Sequence, residues 1–178
     1  DPLLTWNTNL FGTLNILEAL RYMTKKCCAV IITSDKCYEN LEWTWGYREN
    51  DKLGGPDPYS ASKGAAELAI KSYIKSFFTE GQTDIIIASA RAGNVIGGGD
   101  WAADRIIPDC IKAWSRGEVL DLRNPNSTRP WQHVLEPLSG YLNLALSLNE
   151  KLILHGEAFN FGPISTESKS VLDVVEEM

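Results

Sequence analysis

Two short runs of apolar, largely β-branched residues constrain the fold of this chain more than any other feature. They occupy positions 28–32 and 85–90 and contain no charged residue. Continuous runs of this kind are typical of strands that are buried on both faces of a parallel sheet. The segment 59–78 between them has apolar residues at helical spacing, which predicts a helix. Because strands and helices alternate, the sequence predicts an α/β fold with a parallel sheet.

The rest of the chain continues this alternation. The other predicted helices have apolar residues at helical spacing and lie at 7–22, 104–116 and 138–148. Two further strands are predicted at 119–122 and 158–161. Segments rich in polar residues, Gly and Pro are predicted to be loops and lie at 41–58 and 124–130. Pro108 is expected to break the first part of its helix, and Ser170 to cap a last helix.

Composition excludes several classes of protein. The 178 residues are 44% hydrophobic and 22% charged, which suits a globular domain. The net charge is −6 and no basic cluster occurs, so no nucleic acid partner is expected. No apolar run approaches the roughly 18 residues that span a membrane. Four cysteines without a C-x-x-C pair and only two histidines argue against a metal site and for a cytoplasmic protein with reduced thiols.

Two groups of residues are candidates for chemistry. Tyr59 and Lys63 stand four residues apart and should share one helical face. Tyrosine is a poor base at neutral pH because its reference pKa is about 10, and a lysine one turn away favours the phenolate. Ser34, Asp35 and Lys36 follow the first strand, and open α/β sheets bind ligands at the carboxyl ends of their strands. Proton transfer with an alcohol is the chemistry that these side chains suit.

Five motifs occur in an order that a known family shows. They are N-L-F-G-T-L-N from position 9, T-S-D from position 33, Tyr59-x-x-x-Lys63, R-A-G-N-V-I-G from position 91 and R-P-W-Q-H-V from position 129. Over nearly the whole chain they resemble the extended short-chain dehydrogenases/reductases that act on nucleotide sugars. T-S-D-K-C-Y from position 33 and G-G-G-D-W from position 97 are similar to the 4,6-dehydratases of cytidine-linked sugars.

The resemblance implies an NAD-dependent lyase with a Rossmann-like, doubly wound parallel sheet and part of a smaller C-terminal substrate-binding region. The substrate would be CDP-D-glucose and the product CDP-4-dehydro-6-deoxy-D-glucose, in deoxysugar biosynthesis for lipopolysaccharide O-antigen. The hexose is oxidised at C4, loses water across C5 and C6, and takes the hydride back at C6. A nucleotide-sugar 4-epimerase, a dehydratase of dTDP- or GDP-sugars and a non-catalytic NAD-sensing scaffold stay open as alternatives.

The resemblance also implies catalytic roles. Tyr59, helped by Lys63, would take the C4 hydroxyl proton, and Ser34 would hydrogen-bond the same oxygen. Asp35 would be the acid that protonates the leaving O6. Lys36 stands where the thymidine-linked dehydratases carry the glutamate that removes the C5 proton. Because a lysine acts as a base only when its pKa is lowered, by burial or by a cation such as Lys63, the division of labour between Asp35 and Lys36 stays open.

Further residues are implied in binding. Those expected to contact the cofactor are Asn9 near the nicotinamide ribose, Ala92 beside the nicotinamide, and the catalytic Tyr59 and Lys63. Those expected to contact the sugar nucleotide are Asn94, Arg105 and, for the diphosphate, Arg129. The glycines at 97–99 lack the G-x-G-x-x-G spacing of a dinucleotide loop and are expected to let the backbone approach the substrate.

The glycine-rich turn of the family's first βα unit does not occur in the chain. Residues 1–93 are therefore expected to be the C-terminal part of an NAD-binding Rossmann domain that lacks its first βα units. Residues 94–178 would be a mixed segment of sugar-nucleotide-binding and returning Rossmann elements, truncated at its end. Such a fragment alone would be inactive and would bind NAD poorly. Family members pair through two long helices, here 7–22 and 59–78, which predicts a homodimer.

Overall fold

Parallel strands with helices on both faces organise the first part of the molecule. The computed structural model describes residues 1–79, 81–102, 104–150, 152–164 and 168–178. Its α-helices are α1 (Pro2–Trp6), α2 (Gly12–Arg21), α3 (Pro58–Phe77), α4 (Ile106–Ser115), α5 (Leu135–Glu150) and α6 (Val171–Glu176). Its strands are β1 (Cys27–Ile32), β2 (Ile85–Ala92), β3 (Val95–Ile96), β4 (Thr128–Arg129), β5 (Gln132–His133), β6 (Ala158–Phe161) and β7 (Lys169–Ser170).

The main sheet has the order β1-β2-β6 and is parallel throughout. Cys27 lies opposite Ile85, and Ala92 lies opposite Phe161. The sheet confirms the predicted α/β class. Strand β2 is buried along its length up to Arg91, as a central strand should be. Strand β1 is only half-buried, because it is an edge strand of this sheet in the described residues.

The core forms on both faces of the sheet because successive residues of β2 point to opposite sides. Ile85 and Ile87 pack on one side against the apolar faces of α2 and α3. Ile86, Ala88 and Ala90 pack on the other side against Leu144 and Leu148 of α5. Helices therefore cover both faces of the sheet, as the alternation of elements predicts.

The helical segment predicted at 7–22 begins earlier than its apolar spacing indicates. Pro2 opens α1, where a proline costs no hydrogen bond, and the Asp1 side chain accepts a hydrogen bond from Leu4 N at 3.2 Å. A π-helical turn, Asn7–Phe11, then joins α1 to α2. Turns of this kind are rare and often lie at functional sites.

Helix α3 begins at Pro58, one residue before the predicted start. The Asp57 side chain caps it, accepting hydrogen bonds from Tyr59 N at 2.9 Å and Ser60 N at 3.1 Å. Proline at the first helical position is preorganised for this start. The cap therefore fixes where the first turn of α3, and with it Tyr59, begins.

Residues 93–137 and 162–178 form a second compact unit, separate from residues 1–92 and 138–161. In this second unit β3 pairs in parallel with β5, and β4 pairs antiparallel with β7. Ser170 caps α6 as predicted, because its hydroxyl accepts a hydrogen bond from Asp173 N and the Asp173 carboxylate accepts one from Ser170 N.

Two predictions in the second unit are wrong. The segment 119–122 is not a strand, and its Val119 is 93% exposed, so the apolar alternation there marks no buried face. Pro108 does not break its helix, because α4 starts at Ile106 and Pro108 lies in the first turn, where no N–H is needed. The predicted turn at 124–130 ends in strand β4.

The loop at 39–57 is built around aromatic rings. Tyr47 stacks on Tyr38 with ring centres 5.4 Å apart and on Trp43 at 5.6 Å. The Tyr47 hydroxyl accepts a hydrogen bond from Leu41 N at 2.6 Å and donates one to the Asn40 side chain at 2.9 Å. This stacking gives the loop a fixed internal structure.

None of the helices in the described ranges is both long and apolar enough to cross a membrane.

Candidate active site

Two elements of the first unit carry the candidate catalytic residues. A short 3₁₀ turn, Asp35–Cys37, follows β1, and the first turns of α3 carry Tyr59 and Lys63. Gly64 lets them approach, because a Cβ there would lie 3.1 Å from Gly54 N and 3.2 Å from Cys37 O. The backbone of α3 at Gly64, one residue after Lys63, therefore lies directly against the end of the turn.

Ser34 organises the turn. Its backbone is extended, with φ −171°, and its Oγ accepts a hydrogen bond from Lys36 N at 3.2 Å. The same hydroxyl donates to Asp35 Oδ1 at 3.1 Å. Ser34 is 8% exposed, Asp35 is half-buried and Lys36 is exposed. The Ser34 hydroxyl must therefore turn away from Asp35 before it can donate to a ligand.

Tyr59 and Lys63 lie on one face of α3. The Lys63 Nζ is 5.9 Å from the centre of the Tyr59 ring. The ring is 46% exposed, whereas Lys63 is half-buried. Burial lowers the pKa of Lys63 below that of a free lysine. The pair thus presents an accessible phenol next to an ammonium group that gives up its proton more readily than usual.

Asn9 is tied to this helix by a serine that the sequence motifs do not single out. In the π-helical turn, the Asn9 side-chain NH₂ donates to Ser62 Oγ at 2.9 Å. Ser62 is fully buried and donates to the Tyr59 carbonyl oxygen at 2.7 Å. The Asn9 NH₂ group therefore supports the start of α3, and the side-chain oxygen takes no part in this bond.

Lys36 lies near a carboxylate. Hydrogen bonds from Ser60, first from its hydroxyl and then from its N–H, hold the pKa of Asp57 below its usual value, and the positive charge of Lys36 acts in the same direction. The sequence had suggested Lys63 as the charge that tunes Lys36. Asp57, whose pKa Lys36 helps to lower, also caps the helix of Tyr59.

The other candidates lie further along the chain. Ala92 is the last residue of β2 and is half-buried, at the carboxyl end of the central strand. Asn94 and Arg129 belong to the second unit, where Gln132 N donates to Asn94 O at 3.1 Å. This bond brings the segment that follows Arg129 beside Asn94. Arg105 is exposed and instead faces Asp100, with 3.6 Å between Nε and Oδ2.

The first of the three glycines at 97–99 has a packing role. A Cβ at Gly97 would lie 2.6 Å from Cγ1 of Val134, so this glycine is needed for contact with Val134. Gly99 has a φ of +87°, a conformation that other residues adopt only with strain. Neither requirement depends on a bound substrate, which the sequence had suggested as the reason for these glycines.

Among the described residues no group of three or more His, Cys, Asp or Glu is placed to hold a metal ion.

Comparisons with known proteins find relatives over the whole chain. A family model described as GDP-mannose 4,6 dehydratase matches residues 1–175. The chain is 49% identical over its whole length to CDP-glucose 4,6-dehydratase of Salmonella typhimurium, covering 50% of that protein. It is 24% identical to CDP-paratose 2-epimerase of Salmonella typhi, with 98% of the chain and 56% of that protein covered. The chain thus spans about half the length of these curated relatives.

Solved structures show the same fold. The dTDP-glucose 4,6-dehydratase of Bacillus anthracis, in complex with NAD, superposes with a TM-score of 0.76 at 24% identity, over 97% of this chain and 51% of that one. A UDP-galactose 4-epimerase superposes with a TM-score of 0.80 at 21% identity, over 99% of this chain and 54% of that one. At these identities the likeness shows the Rossmann-type fold and no more.

Proposed function

Since the chain belongs to the GDP-mannose 4,6-dehydratase family, we propose that the protein is an NAD-dependent hydro-lyase acting on a nucleotide sugar. The substrate we propose is CDP-D-glucose, and the product is CDP-4-dehydro-6-deoxy-D-glucose. The identity of 49% to a CDP-glucose 4,6-dehydratase over the whole chain supports this choice of substrate. A role in deoxysugar and O-antigen synthesis in the cytoplasm is part of the same proposal.

One observation carries the proposed reaction: the turn of Asp35 and Lys36 lies against the helix of Tyr59 and Lys63. Oxidation of an alcohol needs only the tyrosine and the lysine. Elimination of water from the resulting ketone needs a further acid and base on the same substrate. The close contact at Gly64 puts both sets of groups beside one another.

The residues present fit the nicotinamide half of NAD. The small side chain of Ala92 lies at the carboxyl end of a parallel strand, where such ligands bind, and Tyr59 is accessible on α3. Asn9, Tyr59, Lys63 and Ala92 would hold this half. NAD held there would supply the hydride acceptor for C4 of the hexose and the hydride donor for C6.

Tyr59 begins the reaction by accepting the proton of the C4 hydroxyl. The Lys63 ammonium group favours the phenolate form by its charge, and its lowered pKa lets it pass a proton onward. Ser34 donates a hydrogen bond to the same substrate oxygen once its hydroxyl has turned from Asp35. These three side chains produce the ketone that makes the C5 hydrogen acidic.

Asp35 and Lys36 carry out the elimination. In one assignment Lys36 removes the C5 proton and Asp35 gives a proton to O6, which leaves as water. The reverse assignment places the acid on Lys36 and the base on Asp35. Both assignments balance, because one proton is removed and one is delivered. Asn94, Arg105 and Arg129 bind the sugar nucleotide, with Arg129 at the diphosphate.

The proposal is tested by offering the full-length protein CDP-glucose, UDP-glucose, dTDP-glucose and GDP-mannose in parallel. We expect a 4-keto-6-deoxy sugar from CDP-glucose, with kcat/KM at least about 10-fold above that for the other nucleotides, the difference that one lost base contact makes. An equal rate with another nucleotide would contradict the choice of substrate. An epimer of the substrate as the product would contradict the dehydratase.

A homodimer is also part of the proposal. Several apolar side chains on the two segments expected to pair, 7–22 and 59–78, are more than half exposed, namely Phe11, Ile16 and Leu68. Apolar side chains clustered on adjacent helices are typical of an interface. The helical segment at 7–22 and helix α3 of two copies would form a four-helix bundle.

A further inference from the structure

A buried ion pair lies behind the candidate catalytic groups. Arg91 Nη2 and Glu67 Oε2 are 2.8 Å apart, and both side chains are 4% exposed. Burying two charges costs free energy unless the pair is close and their other polar atoms are hydrogen-bonded. Neither residue has a part in the proposed proton transfers. The reason for their burial therefore lies in the residues that they hold in place.

Glu67 holds the ends of two strands against α3. Its Oε2 accepts hydrogen bonds from Arg91 Nη2 at 2.8 Å and from Ser89 Oγ at 2.9 Å, both on β2. Its Oε1 accepts one from the hydroxyl of Thr33, the residue just after β1. Thr33 precedes Ser34, so the carboxylate anchors the beginning of the turn that carries the candidate acid and base.

Arg91 holds the other end of the same turn. Its Nη1 donates to the Tyr38 hydroxyl at 2.7 Å and to Glu49 O at 2.9 Å. The Tyr38 hydroxyl in turn donates to Asn160 Oδ1 at 2.7 Å, at the end of β6. Tyr38 directly follows the 3₁₀ turn. The ion pair therefore fixes Asp35 and Lys36 from both sides, through Thr33 and through Tyr38.

The same pair is linked to the catalytic helix by its position in the sequence. Glu67 stands four residues after Lys63 on α3, so the two side chains lie one above the other on one helical face. A displacement of Glu67 would change the distance between the turn and Tyr59. Rates of reactions that depend on oriented groups fall about 10²-fold for a misplacement of roughly 1 Å.

We propose that Glu67 and Arg91 are positioning residues that set the distance between the Asp35–Cys37 turn and the helix of Tyr59 and Lys63. This inference rests on the proposed dehydratase function. The reacting groups of the turn and of the helix cannot set their own positions relative to one substrate. The ion pair would hold both in those positions.

Two single-hydroxyl variants of the full-length protein test it. Thr33→Val and Ser89→Ala each remove one hydroxyl that donates to the Glu67 carboxylate, but only Thr33 adjoins the turn. We expect Thr33→Val to lower kcat about 10-fold with KM nearly unchanged, and Thr33→Ser to restore it. Ser89→Ala should keep kcat within about twofold, because the register of the turn is left intact. Equal losses of kcat in Thr33→Val and Ser89→Ala would overturn the inference.

Amide hydrogen exchange gives a second readout that does not depend on turnover. Thr33→Val should speed exchange at residues 34–38, where Lys36 N and Cys37 N are bonded to Ser34, and Ser89→Ala should not. If the wild-type protein fails to dehydrate any nucleotide sugar, the proposed function fails, and exchange alone decides on positioning. Unchanged exchange at 34–38 in Thr33→Val would overturn the inference even where the proposed function holds.

Discussion

Replacing Tyr59 with Phe is expected to lower kcat by about 10²–10⁴-fold, the range that one general acid–base group contributes. In the proposed mechanism the phenol takes the C4 proton, and Tyr59 is exposed enough to reach a substrate. The ring itself stays, so its packing and the helix cap at Asp57 are unaffected. Steady-state kinetics together with NAD content and binding of CDP-glucose measure the effect, and we expect binding to change by less than about threefold.

Tyr73→Phe is the matched control for this variant. It removes a hydroxyl from the same helix, where Tyr73 donates to Glu18 Oε1 at 2.7 Å, far along α3 from the candidate site. We expect its kcat to stay near that of the wild-type protein. A Tyr59→Phe variant that keeps more than about a tenth of wild-type turnover would show that another group takes the proton.

Replacing Lys36 with Gln is expected to stop the reaction after its first step. In the proposed mechanism oxidation at C4 depends on Tyr59 and Lys63, so it should proceed, whereas elimination lacks one of its two proton-transfer groups and should slow by about 10²–10⁴-fold. Reduced NAD should then accumulate on the enzyme in a single turnover, and the bound sugar should be the 4-keto hexose with its C6 hydroxyl still in place. Absorbance of the reduced nicotinamide and mass spectrometry of the released sugar measure both.

Lys52→Gln is the control for loss of a lysine charge near the site. Lys52 is exposed, and its Nζ pairs with Glu39 at 2.7 Å in the loop that joins the turn to α3. We expect this variant to turn over normally. Full turnover in Lys36→Gln would show that Lys36 takes no part in the elimination, and a block of oxidation in Lys36→Gln would show that Lys36 acts at C4.

The parts of the fold that could be predicted from the sequence are those set by local patterns. The continuous apolar run at 85–90 becomes the buried centre of β2, and the helix at 59–78 is displaced by a single residue, because Asp57 and Pro58 form its start. The alternation at 119–122 misleads because four residues show a period of two by chance. The π-helical turn at Asn7–Phe11 has no such pattern, since its turn differs from an α-helix only in hydrogen bonding.

The candidate site also has features that local patterns predict and features that they do not. Tyr59 and Lys63 share a face because their spacing is local, and Ser34 follows a strand that composition identifies. The hydrogen bonds of Glu67 with Thr33, Ser89 and Arg91 join residues distant in the chain. Such contacts depend on how α3 packs on the sheet, which no pattern within a single element reveals.

We propose that one site oxidises C4 of the hexose and then eliminates water, with the hydride returning to C6. Its most direct test uses CDP-glucose that carries deuterium at C4, incubated with the full-length protein, followed by NMR and mass spectrometry of the product. If the hydride returns to C6 as proposed, we expect deuterium in the C6 methyl group of a 4-keto-6-deoxy sugar. Deuterium retained at C4 in an epimer, or a 4-keto product without deuterium at C6, would contradict it.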